Sequence, residues 1–217
     1  MSFDLEKAAL RASGIKEAAS LREYKSKLGS LYRAFERNVK PPSAKVWIAR
    51  TLFEWLWARK PARYEHGGSY RLNEVIDSQL SKGNEAVGNC LGLTLLYNCL
   101  LRRGGVTAAA VHLENAFGRG PHVLSTLVRG KSIIDIENSL SEGFDYKGHL
   151  KDPSRDLWGD RELVADIYVS QGNDCFELGD YDEALARYDA AISLNPHYER
   201  ALLNKAIVLD KIGDLRK

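Results

Sequence analysis

Cysteine is scarce in this sequence: Cys90, Cys99 and Cys175 are the only three in 217 residues. Their odd number, their apolar or helix-like surroundings and the lack of any Cys-x-x-Cys pair argue against a disulfide framework and against a paired-cysteine metal or redox motif. Reduced thiols are expected. An excess of one charge is also missing, with 31 basic residues against 29 acidic ones, so nothing suggests a phosphate-binding footprint and no nucleic-acid partner is expected. No apolar run approaches the ~18 residues of a membrane span, and Met1–Glu6 carry acidic residues early with no signal-peptide core. A cytoplasmic protein without a membrane partner is the expectation. With 44% hydrophobic and 28% charged residues, the chain is too apolar for disorder and predicts one or two domains with real cores.

What is present first is helical spacing. Between Ser20 and Asn38, Leu21, Tyr24, Leu28, Leu31, Tyr32 and Phe35 fall on one stripe, as an amphipathic helix requires. Pro41-Pro42 breaks the chain, and Ser43 is placed to cap a second helix through about Arg59. That helix carries Trp47, Trp55 and Trp57, which read as core. Loop residues follow from Pro61 to Tyr70, then a helix from Leu72 to Leu80. A helix apolar on nearly every face begins at Cys90 and stops at Gly104-Gly105.

The pattern then changes to short β-like runs, Val106–Leu113, His122–Val128 and Lys131–Glu137, with Arg129-Gly130 read as a hairpin turn. Helices followed by a small antiparallel sheet predict an α+β domain over residues 1–160, helical over 1–60 with its core at 70–140. From Ala165 a different periodicity sets in. Tyr168, Gly172, Gly179-Asp180-Tyr181, Ala184, Tyr188, Ala191 and Pro196 resemble a tetratricopeptide repeat (TPR) over 165–198. An unfinished second repeat spans 199–217, with Lys211-Ile212-Gly213-Asp214 as its turn, so that residues 161–217 form a repeat region. A repeat buries its apolar face only by stacking. The expectation is a longer repeat array, or a last helix that packs on the first domain or on another chain, including self-association.

One constellation could carry chemistry. Cys90 opens a helix, where unpaired backbone N–H groups and the helix dipole favour a thiolate; a small buried apolar residue is the competing reading. His122 stands at the mouth of a strand after Gly118-Arg119-Gly120-Pro121. If Arg129-Gly130 is a two-residue turn, Leu124 pairs with Asp135 and His122 with Glu137, which puts Asp135 diagonal to His122 on one face. A three-residue loop would turn Asp135 to the other face. Asp135 is also an isolated charge in an apolar strand, which is costly without a partner. His66, His149 and His197 read as loop or surface residues and His112 as core-edge. A zinc site from Cys90, Cys99, His112 and His122 lacks local ligand pairs, so neither metal nor cofactor is expected.

Cys90, His122 and Asp135, in that order and within the stretch from about Leu72 to Asn138, resemble the core of the transglutaminase-like superfamily, relatives of papain-type thiol enzymes. The resemblance implies that His122 takes the Cys90 proton, the thiolate attacks an amide carbonyl, His122 protonates the departing amine and Asp135 holds the imidazole tautomer. Water or a second amine would resolve the acyl-enzyme. The Cys90 N–H would be one oxyanion donor, with Gln79, Asn84, Asn89 and Trp55 as candidates for another. Many relatives carry a bulky aromatic after the nucleophile, where this chain has Leu91-Gly92. Two functions follow: a cysteine-dependent amide hydrolase or acyltransferase whose repeats hold a protein substrate, or a catalytically inactive adaptor that binds a protein or peptide.

Overall fold

The computed structural model describes residues 3–39, 44–130 and 132–215. Pro41, Pro42, Ser43 and Lys131 therefore lie outside the described residues. Helices α1 (Leu5–Ala12), α2 (Ala18–Asn38), α3 (Lys45–Arg59), α4 (Leu72–Leu80) and α5 (Cys90–Arg103) precede four strands, β1 (Ala109–Leu113), β2 (His122–Arg129), β3 (Ser132–Ile136) and β4 (Asp156–Trp158). Helices α6 (Asp160–Glu177), α7 (Tyr181–Leu194) and α8 (Glu199–Leu215) complete the order. The strands form one antiparallel sheet in the order β3-β2-β1-β4. Helices segregated from a small antiparallel sheet are the expected α+β arrangement. Among the described residues no helix is long and apolar enough to cross a membrane.

Helix α5 is the axis of the core. Every residue from Leu91 to Leu101 is buried, which explains why its apolar positions have no single face. Two of its buried residues are polar, Thr94 and Asn98, four apart and so on one side of the helix. The Ser125 hydroxyl donates to Asn98 Oδ1 at 2.7 Å, Asn138 Nδ2 donates to Ser125 Oγ at 2.9 Å, and Thr94 Oγ1 donates to the Val123 carbonyl at 3.3 Å. These bonds fix β2 against α5 where apolar packing alone would allow sliding. Gly92 makes a further contact possible: an added Cβ would overlap the Ser69 carbonyl oxygen and meet Val75 Cγ2 at 2.7 Å. The 69–70 segment thus packs directly on the first turn of α5.

Of the tryptophans in α3, Trp55 is buried with its edge against Phe35, whereas Trp47 is exposed. The sequence reading of that helix as core holds for Trp55 and not for Trp47. Helix α6 joins the first helices directly: Gln171 Nε2 donates to the Ala12 carbonyl at 2.6 Å, and Arg102 grips both Asp160 oxygens at 2.6 Å. Helices α6 and α7 close around Gly172, where a Cβ would run into the Tyr188 ring. Residues 211–214 continue α8 and do not form the turn expected there. Along α8, Ala201 and Val208 are buried, while Leu202, Leu203, Ile207 and Leu209 stay exposed.

Candidate active site

Cys90 is the first residue of α5, and the Asn89 side chain caps that helix by accepting from the Gly92 N–H at 3.0 Å. The half-buried thiol faces a cavity of about 320 Å³ whose walls include Tyr64, Asn89, Phe117, His122 and Ser139. His122, the first residue of β2, lines the same cavity. Nucleophile and base candidates, 32 positions apart in sequence, are therefore brought together.

Asp135 is not brought to them. The observed ladder pairs Arg129 with Ser132, Thr126 with Asp135 and Ser125 with Ile136. Arg129, expected in the turn, is therefore the last paired residue of β2, and Gly130 beyond it has φ +60°, the left-handed conformation that tight hairpin turns use and that glycine adopts most cheaply. The register is thereby displaced by two residues, which preserves the face and changes the partner. Asp135 lies across from Thr126, four residues along β2 from His122, or about 13 Å at the usual strand rise. Its carboxylate is fully buried, accepts from Arg155 Nη1 and Nη2 at 2.7 and 2.8 Å, and accepts from the Thr126 hydroxyl at 2.8 Å. The isolated charge does have a partner, and the partner is Arg155.

Glu137, a neighbour of His122 in the expected register as well, is the carboxylate that meets the imidazole. Glu137 Oε2 lies 2.8 Å from His122 Nε2, and its other oxygen accepts from the Ser139 N–H at 3.1 Å and hydroxyl at 2.6 Å. Burial works against both charges here. For His122 the neighbouring Cys90 sulfur and Glu137 carboxylate outweigh it and push the imidazole pKa up to about 10. For Glu137, His122, His149 and Ser139 outweigh it and hold the carboxyl near 2. The Glu137 carboxylate thus favours the protonated form of His122.

His149, expected at the surface, is buried, with Nε2 3.7 Å from Glu137 Oε2 and no hydrogen-bond partner of its own. The exposed Phe117 ring stands edge-on to both histidines, at 4.8 Å from His149 and 5.6 Å from His122. His66 is exposed at the cavity rim. His112 stacks on Trp158 at 4.2 Å on the far strand pair, and Cys99 is buried in α5, so neither joins Cys90 and His122 in the four-residue zinc set considered from sequence.

Of the oxyanion candidates, Asn89 alone lines the cavity. Gln79 and Trp55 are buried in helices elsewhere, and Asn84 is exposed in a loop. Tyr64 had no signal in sequence pattern. It reaches the site because the 63–65 segment pairs with 87–88: Val87 N–H donates to the Arg63 carbonyl at 2.8 Å, and Tyr64 bridges Gly88. Burial and the nearby Cys90 and Glu137 raise the Tyr64 phenol above its ordinary value, so its hydroxyl keeps its proton and remains a donor.

The carboxy-terminal helices have an independent assignment, because residues 172–213 match the family model of the TPR repeat. The chain carries a TPR repeat. The matched TPR residues run from the middle of α6 through α7 and into α8, and repeats of this kind point to a protein-interaction module. No curated protein and no solved structure matches the chain. Beside the TPR helices, Asn173, Phe176, Glu177, Tyr188, Asn204 and Ile207 line an open groove of about 260 Å³.

Proposed function

We propose that this protein is a cysteine-dependent amide hydrolase or acyltransferase of the transglutaminase-like kind, with Cys90 as nucleophile, His122 as the group that takes and returns its proton, and Glu137 in the orienting role first expected of Asp135. The single observation that carries the reading is the convergence of Cys90 and His122 on one open cavity, with the buried Glu137 carboxylate bonded to His122. Their roles follow from their chemistry. Glu137 holds His122 Nε2 and leaves the rest of the ring to the sulfur, the arrangement a thiol nucleophile needs for proton transfer. The Cys90 thiolate adds to an amide carbonyl, the carbonyl oxygen becomes an oxyanion, and the Cys90 N–H and the Tyr64 hydroxyl are the donors placed to receive it. Collapse expels the amine, which takes its proton from His122. Water or a second amine then attacks the thioester and releases Cys90.

The TPR groove supplies the second half of the proposal. Its Asn173 and Asn204 amides and its apolar Phe176 and Ile207 suit an extended peptide, so that a protein substrate is held by the repeat while one of its amide side chains or bonds enters the Cys90 cavity. The exposed leucines of α8 would widen that contact.

Profiling amide and ester libraries with wild type beside Cys90→Ala tests the proposal. Turnover in wild type and none in Cys90→Ala is expected, with an unfolding free energy changed by less than about 1 kcal/mol, because the removed sulfur is half-buried at a cavity wall. Equal turnover in the two proteins would remove Cys90 from the chemistry. No turnover in either, with peptide binding retained, would support the adaptor reading.

A further inference from the structure

His122 and Glu137 share a cluster with His149, a buried histidine the acyl-transfer scheme does not use. His122, Glu137 and His149 each offer one ligand atom, and these atoms all lie within 4.8 Å of one another. All three residues are buried. His149 Nε2 is a buried polar atom without a partner, aimed at Glu137 Oε2 from 3.7 Å, and such an atom costs free energy unless something occupies it. We propose that His122, Glu137 and His149 form a zinc site, and that zinc bound there withdraws His122 and Glu137 from Cys90 and silences the thiol.

The ligand chemistry fits. Two imidazole nitrogens and one carboxylate oxygen are a donor set that zinc takes, with a fourth tetrahedral position open. Bond lengths of about 2.0–2.2 Å place neighbouring ligand atoms about 3.3–3.5 Å apart in a tetrahedral site. The present separations of 2.8 Å for His122 to Glu137 and 3.7 Å for His149 to Glu137 bracket that value, and the two histidines, within 4.8 Å of each other, would close in by side-chain rotation. The outer contacts are in place as well. Ser139 anchors Glu137 Oε1 through both its N–H and its hydroxyl, leaving Oε2 for the metal, and fixed carboxylates of this kind strengthen metal sites. The ring beside the two histidines is that of the exposed Phe117, and its displacement would admit the ion. Cys90 is not part of the cluster.

The inference requires zinc binding but no turnover at Cys90, so the two readings fail separately. Titration of the full metal-free chain with zinc ions, read by isothermal calorimetry, should give one site of micromolar or tighter affinity. Cys90→Ala should retain that affinity, and His149→Ala should weaken it at least ~100-fold, given that outer-sphere changes alone cost 10–100-fold. Should His149→Ala misfold, X-ray absorption of the zinc-loaded wild type decides: nitrogen and oxygen neighbours alone support the site. The absence of binding overturns it, as does affinity unchanged in a folded His149→Ala, or a zinc–sulfur shell near ~2.3 Å. With zinc bound, alkylation of Cys90 should slow at least ~10-fold and recover on chelation; an unchanged rate would overturn the silencing.

Discussion

Glu137→Gln is expected to lower turnover by about three to four orders of magnitude while the protein stays folded. The size follows from geometry. The substitution keeps the side-chain volume and can still accept from Ser139, but it turns an amide N–H₂ toward His122 where a carboxylate had accepted. The imidazole then meets a donor with a donor. It must rotate or change tautomer, and the nitrogen that served Cys90 is no longer in the right state. The equivalent neutralisation in a Ser-His-Asp triad costs about 10⁴ in kcat, and a thiol nucleophile is more tolerant because it needs less help to ionise. Turnover of the best amide substrate, with far-ultraviolet circular dichroism as the check on folding, measures the effect. A loss of less than about 10-fold would leave Glu137 as a structural carboxylate.

Asp135→Ala should behave in the opposite way, with a large loss of stability and little loss of turnover in the molecules that remain folded. Asp135 is fully buried and Arg155 largely so, and two short bonds join them. Removing one member of a buried pair strands the other charge, which costs about 3–5 kcal/mol. The Thr126 hydroxyl also loses its acceptor. None of these groups touches His122 or Cys90. Urea unfolding reads the first effect and turnover per folded molecule the second. The expectation of Asp135 as the orienter would return if turnover, and not stability, collapsed.

These two substitutions separate readings that the sequence alone left joined. Cys90 at a helix start and His122 at a strand mouth were legible, because a cap residue before an apolar run and a glycine-rich approach to an alternating run are local signals. The two-residue hairpin was legible too. Its position was not, since Arg129-Gly130 and the next pair along both satisfy the alternation, and only the pairing of Arg129 with Ser132 chooses between them. A displacement of two residues leaves every side chain on its expected face, so no violation of patterning could expose it. Asp135 moves along the strand to Thr126 in consequence, and Glu137 is left as the carboxylate beside His122.

Tyr64 and His149 were hidden for a different reason. Tyr64 arrives by pairing between 63–65 and 87–88, and His149 arrives in a segment between β3 and β4 with no period at all. Long-range contacts of irregular backbone have no sequence period from which to be read. The three-residue β4 is too short to alternate. By contrast, α6 and α7 announced themselves through spaced small residues, Gly172, Ala184 and Ala191, and the TPR match covers that spacing.

Peptide-resolved alkylation with iodoacetamide near neutral pH tests most directly whether the thiol at position 90 is activated. Cys175 is the useful internal standard. Like Cys90 it is partly exposed, but burial and the acidic neighbours Glu183 and Asp180 raise its thiol above the ordinary value; fully buried Cys99 marks the slow limit. The expected result is a Cys90 rate at least ~10-fold above that of Cys175, falling toward it in His122→Ala. A Cys90 that reacts no faster than Cys175 in the metal-free wild type would contradict the account.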